Sequence, residues 1–280
     1  MNSRPDQYAV MGNPISHSKS PQIHTLFAAQ TDQFLEYRAI LVELGGFAAA
    51  VKAFRAAGGR GLNITVPFKQ DAWVYADVLS ARAERAGAVN TLLFREQGAT
   101  FGENTDGLGL VRDLTGNHGI ELAGRRILLL GAGGAARGVL QPLLAAAPAS
   151  LVIANRTPAK AVDLALLFSD LGPVSGCGFP ALAGRRFDLI INATAAGLED
   201  QVPPLPDDIV APGGWCYDMM YRDEPTAFVR WAQVHGAEQA VDGLGMLVEQ
   251  AAESFFLWRG VRPATQPVIA RLRGIGGGSF

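Results

Sequence analysis

Lys69 has the position in this sequence that most directly suggests catalysis. It ends the segment N-I-T-V-P-F-K, residues 63–69, which predicts a strand followed by a helix with Pro67 at its first position. A cation in that first turn faces the positive end of the helix dipole. Taken alone, the segment favours a solvated surface lysine. Together with the rest of the chain, it predicts a lysine that donates a proton.

A second chemical signature is the glycine-rich segment G-A-G-G-A-A at residues 131–136. It fits G-x-G-x-x-A, follows an apolar run at 126–130 and opens an alanine-rich stretch. The first glycine allows a tight turn, the second lets the backbone approach a pyrophosphate, and the small Ala136 lets helix and strand pack closely. The helix N-terminus then supplies N–H donors. The pattern predicts a dinucleotide site; the alternative is a glycine turn that binds no ligand.

The next predicted strand indicates which dinucleotide binds. An NAD site carries an acidic residue at the end of that strand. This chain instead has Asn155, Arg156 and Thr157, with Lys160 three residues on. One charge-assisted hydrogen bond to a 2′-phosphate contributes about 1.5–3 kcal/mol, or about ten- to a hundredfold preference for NADP. Thr157 is also expected to be the N-cap of a helix that begins at Pro158, a role that does not account for Arg156.

Small polar residues follow several other predicted strands. Residues 12–21 are rich in hydroxyls, with Ser20 expected to be the N-cap of a helix and Pro21 at its first position. Hydroxyls beside a helix N-terminus suit a small carboxylate. Asn90 and Asp106 also lie at strand ends. Each of these features alone is more typical of ordinary turn and cap chemistry.

The apolar patterning predicts an α/β fold of two domains. In the first half, strands are predicted at 8–12, 34–42, 61–66, 88–94 and 99–102, and a helix at 46–57. In the second half, the predicted strands are 126–130, 151–154, 187–191 and one ending at 218, with helices to residue 147 and at 158–171. Fully apolar strands alternating with helices indicate a parallel sheet. A final helix at 244–259 is expected to close the chain.

Composition excludes several classes of protein. Among 280 residues the net charge is −2, so there is no basic footprint for nucleic acid. No stretch approaches the roughly 18 apolar residues of a membrane span, and the start lacks a signal-peptide core. The two cysteines suggest no disulfide framework, and the four histidines have no metal-ligand spacing. We therefore expect a cytoplasmic protein without a metal.

Taken in order, these motifs resemble the shikimate dehydrogenase family over nearly the whole chain. The matching segments are residues 12–21, 63–69, 87–91, 104–109, 131–138, 155–157, 192–194, 217–219 and 242–250. The resemblance implies a substrate-binding domain at 1–105 plus 243–280 and a Rossmann NADP-binding domain at 106–242, with the active site in a cleft between them. The sequence D-G-L-G occurs at 106–109 and again at 242–245. Both copies fall where the chain is expected to cross from one domain to the other, and glycines at such positions suit a hinge.

The resemblance also implies an activity, the reversible NADPH-linked reduction of 3-dehydroshikimate to shikimate in aromatic amino acid biosynthesis. The implied catalytic pair is Lys69 and Asp106. The residues implied to bind substrate are Ser18, Ser20, Thr65, Asn90, Asp106, Tyr217 and Gln250. The two serines would hold the carboxylate, and Tyr217 would line the cleft. The residues expected to contact NADP are Gly131, Ala132, Gly133, Gly134, Ala135, Asn155, Arg156, Thr157, Lys160, Thr194, Gly243 and Met246.

Two departures from the family pattern are small. Ala195 and Ala196 stand where relatives often carry a serine, and Lys160 stands where arginine is common. The lysine would loosen the phosphate clamp, meaning Arg156, Thr157 and Lys160 beside the expected 2′-phosphate. Two alternatives stay open: an enzyme that uses quinate as well as shikimate, and a catalytically silent NADP-binding regulator, which the presence of both Lys69 and Asp106 disfavours. The oligomeric state is expected to be a monomer or a homodimer.

Overall fold

The computed structural model describes residues 4–95, 98–194 and 201–274. It contains two six-stranded sheets with helices, which confirms the predicted α/β fold. The described residues form two compact units. The first contains the residues up to Gly109 together with those from Val248, and the second is Leu110–Leu247. The first unit is therefore built from both ends of the chain.

The sheet of the first unit is mixed. Its strands are β1 (Asp6–Gly12), β2 (Leu35–Leu41), β3 (Gly59–Ile64), β4 (Val78–Leu79), β5 (Thr91–Phe94) and β6 (Thr100–Glu103), in the order β2-β1-β3-β5-β6-β4. β1 pairs in parallel with β2 and β3, whereas β5 is antiparallel to both β3 and β6. The carboxyl ends of β1, β3 and β6 and the start of β5 consequently meet at one edge of the sheet.

Helices surround this sheet and close its core. They are α1 (Ser20–Gln30), α2 (Phe47–Ala56), α3 (Lys69–Tyr75), α4 (Ala81–Ala86), the start of α5 (Asp106–Arg112), most of α9 (Leu244–Arg259) and α10 (Gln266–Leu272). The core between α2, α3 and the sheet includes Val51, Leu62, Ile64 and Phe68, all buried. The boundaries between the two units fall inside α5 and α9.

The second unit has an entirely parallel sheet. Its strands are β7 (Arg126–Leu130), β8 (Ser150–Ala154), β9 (Val174–Cys177), β10 (Phe187–Asn192), β11 (Val210–Asp218) and β12 (Gln239–Asp242), in the order β9-β8-β7-β10-β11-β12. The helices are α6 (Gly134–Ala145), α7 (Pro158–Phe168) and α8 (Ala227–Val234), with a π-helical turn at Asp113–Asn117 and a 3-10 turn at Phe179–Leu182.

This strand order is that of a dinucleotide-binding sheet. The chain runs outward from β7 through β8 to β9 and then returns to β10 on the other side of β7. The strand order therefore reverses between β7 and β10, and ligands of such sheets bind at the carboxyl ends of the strands beside that reversal. The predicted apolar strands are buried against two core clusters, one on each face.

Some predicted element starts are wrong by one or two residues. Ser20 is the first residue of α1 rather than its cap, and the Ser18 hydroxyl accepts its N–H at 3.3 Å. Pro67 lies in a turn before α3, which begins at Lys69, because the Phe68 N–H donates to the Thr65 carbonyl. The helix at 244–259 does not close the chain, since α10 follows it.

Candidate active site

The predicted catalytic pair is in contact within the first unit. Lys69 begins α3 five residues after the end of β3, and Asp106 begins α5 three residues after the end of β6. The Lys69 ammonium Nζ lies 2.5 Å from Asp106 Oδ2. The Lys69 side chain is 30 % exposed and the Asp106 side chain 12 %, so the ammonium stays within reach of a ligand while the carboxylate is largely covered. Asp106 thus holds the Lys69 ammonium in position, while the protons of that ammonium stay accessible.

Asn90 fixes the other oxygen of that carboxylate. It precedes β5 and is buried, and its amide Nδ2 donates to Asp106 Oδ1 at 2.8 Å. The same amide nitrogen lies 2.9 Å from Thr105 Oγ1 and 3.3 Å from Gln250 Oε1. The Asn90 Oδ1 atom accepts the Thr105 N–H at 2.9 Å, which sets the orientation of the amide. The structure therefore brings together Lys69, Asn90, Asp106 and Gln250.

Two contributors to this network escaped prediction from the sequence. The Asn104 Oδ1 atom accepts the Asp106 N–H at 3.1 Å, and its Nδ2 donates to the Ala88 carbonyl at 3.1 Å. Thr105, fully buried, bonds Asn90 through both its N–H and its hydroxyl. In the sequence, Asn104 and Thr105 are two uncharged polar residues directly before Asp106, a pattern that is also typical of an exposed turn.

The three hydroxyl residues occupy loops at the same edge of the sheet. Ser18 is half-buried and Ser20 is buried at the start of α1, while Thr65 is half-buried after β3. Gly12 permits the close approach of these loops, since a Cβ there would lie 2.5 Å from Thr65 Cγ2. The Asn13 N–H also donates to the Val66 carbonyl at 3.0 Å. The loops after β1 and β3 are thus fastened to each other.

A second buried polar network lies beneath these residues, centred on Asn63 in β3. Its Oδ1 accepts the Tyr37 hydroxyl at 2.8 Å and lies 3.1 Å from His24 Nε2. Its Nδ2 lies 3.0 Å from Ser254 Oγ and 3.2 Å from the Asn90 carbonyl. Asn63 therefore connects β3, α1 and α9 to the backbone of Asn90.

His24 in this network is neutral. It is 1 % exposed, and burial lowers its pKa from 6.5 to about 3. Since Asn63 Oδ1 is an acceptor, His24 Nε2 must carry the hydrogen. The Nδ1 atom has no hydrogen-bond partner among the described residues. Burial likewise raises the pKa of Tyr37, whose ring stacks on His24 with centroids 4.2 Å apart.

The predicted dinucleotide turn follows β7 in the second unit. Gly131 has φ +104°, a conformation that favours glycine, and its N–H donates to the Ala154 carbonyl at 2.8 Å. Gly133 and Gly134 are exposed at the start of α6, and a Cβ added at either would meet no atom within 4 Å. Ala136 is fully buried in the core. Backbone N–H groups at this helix terminus can therefore meet an anion directly.

The neighbouring strand β8 carries the predicted phosphate clamp. Leu130 at the end of β7 pairs with Ala154 at the end of β8, so the glycine turn and residues 155–157 leave the sheet side by side. Arg156, Thr157 and Lys160 are exposed. Thr157 occupies the N-cap position of α7 as predicted, but its side chain makes no cap hydrogen bond. Two cations and a hydroxyl thus lie beside the turn.

The other predicted cofactor residues follow β10 and β12. Thr194 donates through both N–H and hydroxyl to Asn192 Oδ1, at 3.1 and 2.7 Å. Gly243 lies against the backbone, since a Cβ there would be 2.4 Å from the Met219 carbonyl oxygen. Met246 is buried in the core. Of the remaining predicted residues, Ala132 is half-buried and Ala135 is exposed. The two departures from the family pattern at Ala195 and Ala196 lie outside the described residues.

Tyr217 occupies a buried cluster of the second unit. Its hydroxyl donates to Asp113 Oδ2 at 2.6 Å, and burial together with Asp113 holds the pKa of Tyr217 well above its usual value. Asn117 Nδ2 donates to the other Asp113 oxygen at 2.8 Å. A Cβ on Gly245 would lie 2.0 Å from Asp113 Oδ1, so a larger residue there would force the Asp113 carboxylate to move. Tyr217 therefore belongs to a different unit from Lys69, and its hydroxyl proton is engaged within that unit.

Metal and membrane features are missing from the described residues. Among residues 4–95, 98–194 and 201–274, no group of three or more His, Cys, Asp or Glu side chains is placed to hold a metal ion. Within the same ranges, no helix is both long and apolar enough to cross a membrane. Cys177 is half-buried, Cys216 is buried, and both are free thiols.

Comparison with known proteins gives consistent matches along the chain. Residues 10–92 match the family model described as the shikimate dehydrogenase substrate binding domain. Residues 113–198 match shikimate / quinate 5-dehydrogenase, and residues 243–273 match the shikimate 5'-dehydrogenase C-terminal domain. Shikimate dehydrogenase (NADP(+)) of Alkalilimnicola ehrlichii is 64 % identical over 268 residues, which is 96 % of this chain and 98 % of the relative.

Two solved structures extend the likeness to the fold. An Ael1 enzyme from Pseudomonas putida has a TM-score of 0.90 at 49 % identity, over 95 % of this chain and 98 % of that chain. Shikimate 5-dehydrogenase from Thermus thermophilus, solved in complex with NADP(H) and shikimate, has a TM-score of 0.85 at 35 % identity. That match covers 97 % of this chain and 100 % of the other.

Proposed function

The chain belongs to the shikimate dehydrogenase family, and from that premise we propose that it reversibly reduces 3-dehydroshikimate to shikimate with NADPH. This step belongs to aromatic amino acid biosynthesis. The observation that carries the proposal is the Lys69–Asp106 pair, held by Asn90 in the unit that matches the family's substrate-binding domain. We assign substrate binding to this unit and NADP binding to the second unit.

Lys69 is the proposed proton donor to the reacting oxygen. Reduction of a ketone builds negative charge on that oxygen, and an ammonium beside it stabilises the charge and can supply the proton. Asp106, 2.5 Å away, keeps the ammonium in one position and can accept a hydrogen bond from the adjacent substrate hydroxyl. Because Asp106 is itself held by Asn90, little reorganisation is needed when charge develops.

The remaining proposed contacts hold the ring in place. Asn90 and Gln250 have amide groups beside the pair and suit the ring hydroxyls. Ser18, Ser20 and Thr65, in the fastened loops after β1 and β3, suit the carboxylate and a further hydroxyl. Tyr217 as a substrate contact stays a prediction, and in the structure its hydroxyl proton is already donated to Asp113.

The residues after β7 and β8 fit NADP. The accessible backbone at Gly133 and Gly134 suits the pyrophosphate, and Arg156 and Lys160 suit the 2′-phosphate. When bound, NADPH supplies the hydride. The contacts of Thr194, Gly243 and Met246 with the cofactor stay predictions, as do a cytoplasmic location and the choice between monomer and homodimer.

A spectrophotometric assay of the purified protein tests the proposal. Formation of NADPH or NADH is scored with shikimate and with quinate, each with NADP and with NAD. We expect turnover with shikimate and NADP that exceeds every other pair. Comparable turnover with quinate would favour dual specificity, which the description of the family model at residues 113–198 includes. NADP binding without turnover on any pair would overturn the proposal and favour a silent regulator.

A further inference from the structure

A cavity of about 680 Å³ lies at the edge of the first unit's sheet opposite the catalytic pair. β1 and β3 begin at this edge, and β5 ends there. Lys69 follows the far end of β3 and Asp106 follows the far end of β6. With strands of four to seven residues rising about 3.3 Å per residue, the cavity is on the order of 20 Å from the pair. It is therefore separate from the proposed active site.

Arginines dominate the lining of this cavity. The charged residues that line it are Arg4, Asp6, Arg38, Arg55, Arg60 and Arg95. The described lining residues thus carry five positive charges and one negative, in a chain whose net charge is −2. An adjoining cavity of about 560 Å³ shares Asp6, Arg60 and Arg95 and adds one more arginine, Arg259. Positive charge is concentrated at this edge of the sheet well above the average for the chain.

Asp6, the one acidic residue among the described residues of the lining, is already engaged. Asp6 Oδ2 lies 2.5 Å from the Arg259 guanidinium, and its Oδ1 lies 3.4 Å from Arg60 Nε. The one negative charge of Asp6 is thus shared between two guanidinium groups. Among the described residues of the lining, no further carboxylate is present to balance the charge of Arg38, Arg55 and Arg95.

Neutral groups hold these three arginines. Arg55 donates to the Gly98 carbonyl at 2.5 Å and to Thr100 Oγ1 at 3.2 Å, and its guanidinium lies 5.4 Å from the centroid of the Phe94 ring. Arg38 and Arg95 lie over the rings of Phe54 and Phe101, at 5.8 and 5.1 Å. Within the described part of the chain, no acidic side chain forms a salt bridge with any of the three.

Arginines held in this way are pre-oriented to bind an anion. A guanidinium presents a rigid fork of N–H donors that matches carboxylate or phosphate oxygens in pairs. Stacking on an aromatic ring fixes the plane of that fork, so less side-chain entropy is lost when an anion binds. Like charges around a shared cavity raise its positive potential, which attracts counter-ions.

We propose that this cavity binds a small polyanion, a molecule that carries two or more phosphate or carboxylate groups. Arg38, Arg55 and Arg95 supply the charge that binds it, and Arg60 and Arg4 complete the lining. Phosphates and carboxylates both present paired oxygens to the guanidinium groups. Because they differ in charge density, comparing the binding of one ligand of each kind can distinguish them.

Calorimetric titration with inorganic pyrophosphate tests the site, with the protein saturated with NADP so that the probe cannot occupy the cofactor site. The test variant is Arg38→Ala/Arg95→Ala. The matched control is Arg185→Ala/Arg186→Ala, which removes the same charge from two exposed arginines of the second unit, one of them also stacked on a phenylalanine. Shikimate turnover of each variant, which the proposal leaves unchanged, shows that the fold is intact.

We expect pyrophosphate to bind the natural chain at low salt and at least tenfold more weakly to the test variant, with a change of less than about twofold in the control. Added salt should weaken binding further. Citrate in place of pyrophosphate identifies the source, since tighter pyrophosphate binding indicates phosphate esters and tighter citrate binding indicates polycarboxylates. Absence of binding, or equal weakening in both double variants, would overturn the proposal. If the test variant loses turnover, Arg38→Gln/Arg95→Gln replaces it.

Discussion

The candidate sites of the two units depend on different chemical groups. In the first unit, side chains hold one another: Lys69, Asp106, Asn90 and Gln250 form a continuous chain of hydrogen bonds that is mostly buried. In the second unit, the candidate cofactor site consists of the accessible backbone at Gly133 and Gly134 and of exposed residues such as Arg156. One site is fixed by side-chain contacts, and the other by the path of the backbone.

This difference follows from what each site has to do. A proton donor must be held within a few tenths of an ångström of its target, which requires partners on several sides. A pyrophosphate brings its own charge and needs N–H groups at a helix terminus with no side chain in the way. Substitutions should therefore act differently in the two units: on the rate of the chemical step in the first, and on packing or cofactor preference in the second.

The largest effect is expected for Lys69→Ala. Loss of a general acid should lower turnover by on the order of 10²–10⁴. NADP binding should be unchanged, because the proposed cofactor residues lie in the other unit. Steady-state rates with shikimate and calorimetric titration with NADP measure the two quantities. Lys52→Ala, an exposed lysine of α2, is the control. Turnover close to that of the control would remove Lys69 from the mechanism.

Gly245→Ala should be the most damaging to stability in the second unit. A Cβ there would lie 2.0 Å from Asp113 Oδ1, so the carboxylate must move and its 2.6 Å bond from Tyr217 must break. Overpacking combined with a lost buried hydrogen bond should lower the free energy of unfolding by about 3 kcal/mol.

Denaturant unfolding compares this variant with Gly116→Ala, which changes a glycine of the Asp113–Asn117 turn where a Cβ would meet nothing within 4 Å. The control should differ from the natural chain by less than about 1 kcal/mol. If both variants are equally stable, the close approach of Asp113 to α9 does not constrain the unit.

A pH effect on stability is expected from His24 in the first unit. Because burial lowers its pKa from 6.5 to about 3, the unfolded chain binds a proton between those values that the folded chain does not. The free energy of unfolding should therefore fall as the pH drops below 6.5, by about 1.4 kcal/mol per pH unit, or about 2 kcal/mol between pH 7 and pH 5.

Urea unfolding at the two pH values, in the natural chain and in His24→Gln, isolates this contribution. Other titrating groups affect both proteins alike, so the variant should lose about 2 kcal/mol less than the natural chain over that interval. Equal losses would mean that His24 is accessible to protons in the folded state.

The smallest expected effect is on cofactor choice. Arg156→Ala should reduce the preference for NADP over NAD by roughly tenfold, since a charge-assisted hydrogen bond is lost only with the 2′-phosphate. The ratio of kcat/KM for the two cofactors measures this. Arg186→Ala, another exposed arginine of the second unit, should leave the ratio unchanged. An unchanged ratio in Arg156→Ala would contradict the proposed clamp and weaken the contrast between the units.

The sequence was more informative for the second unit than for the first. The strand at Arg126–Leu130 lies as predicted and α7 begins at Pro158 as predicted, because apolar runs and periodicity are local signals. The glycine turn that begins at Gly131 could be predicted because its motif consists of consecutive residues. Shorter elements such as β12 and α10 were missed, since their few residues carry too little periodicity.

Long-range polar contacts could not be predicted. Asn63 falls inside a predicted strand, where nothing local indicates its partners, and these include Tyr37, Thr91 and Ser254, which are far apart in the sequence. The start of α3 was likewise decided by the turn hydrogen bond between Phe68 and Thr65 rather than by the preference of proline. Such contacts depend on the completed fold, which a local pattern does not contain.

The discontinuous first unit has a consequence for biosynthesis. Asn63 and Asn90 leave the ribosome early, but their partners Ser254 and Gln250 lie on α9, and Trp258 donates to the Leu92 carbonyl from the same helix. At about 5–20 residues per second, translation of the intervening 110–247 segment takes on the order of ten seconds. The nascent chain should therefore expose an incomplete first unit throughout that interval, and the bond between Asn90 and Gln250 can form only after α9 has been synthesised.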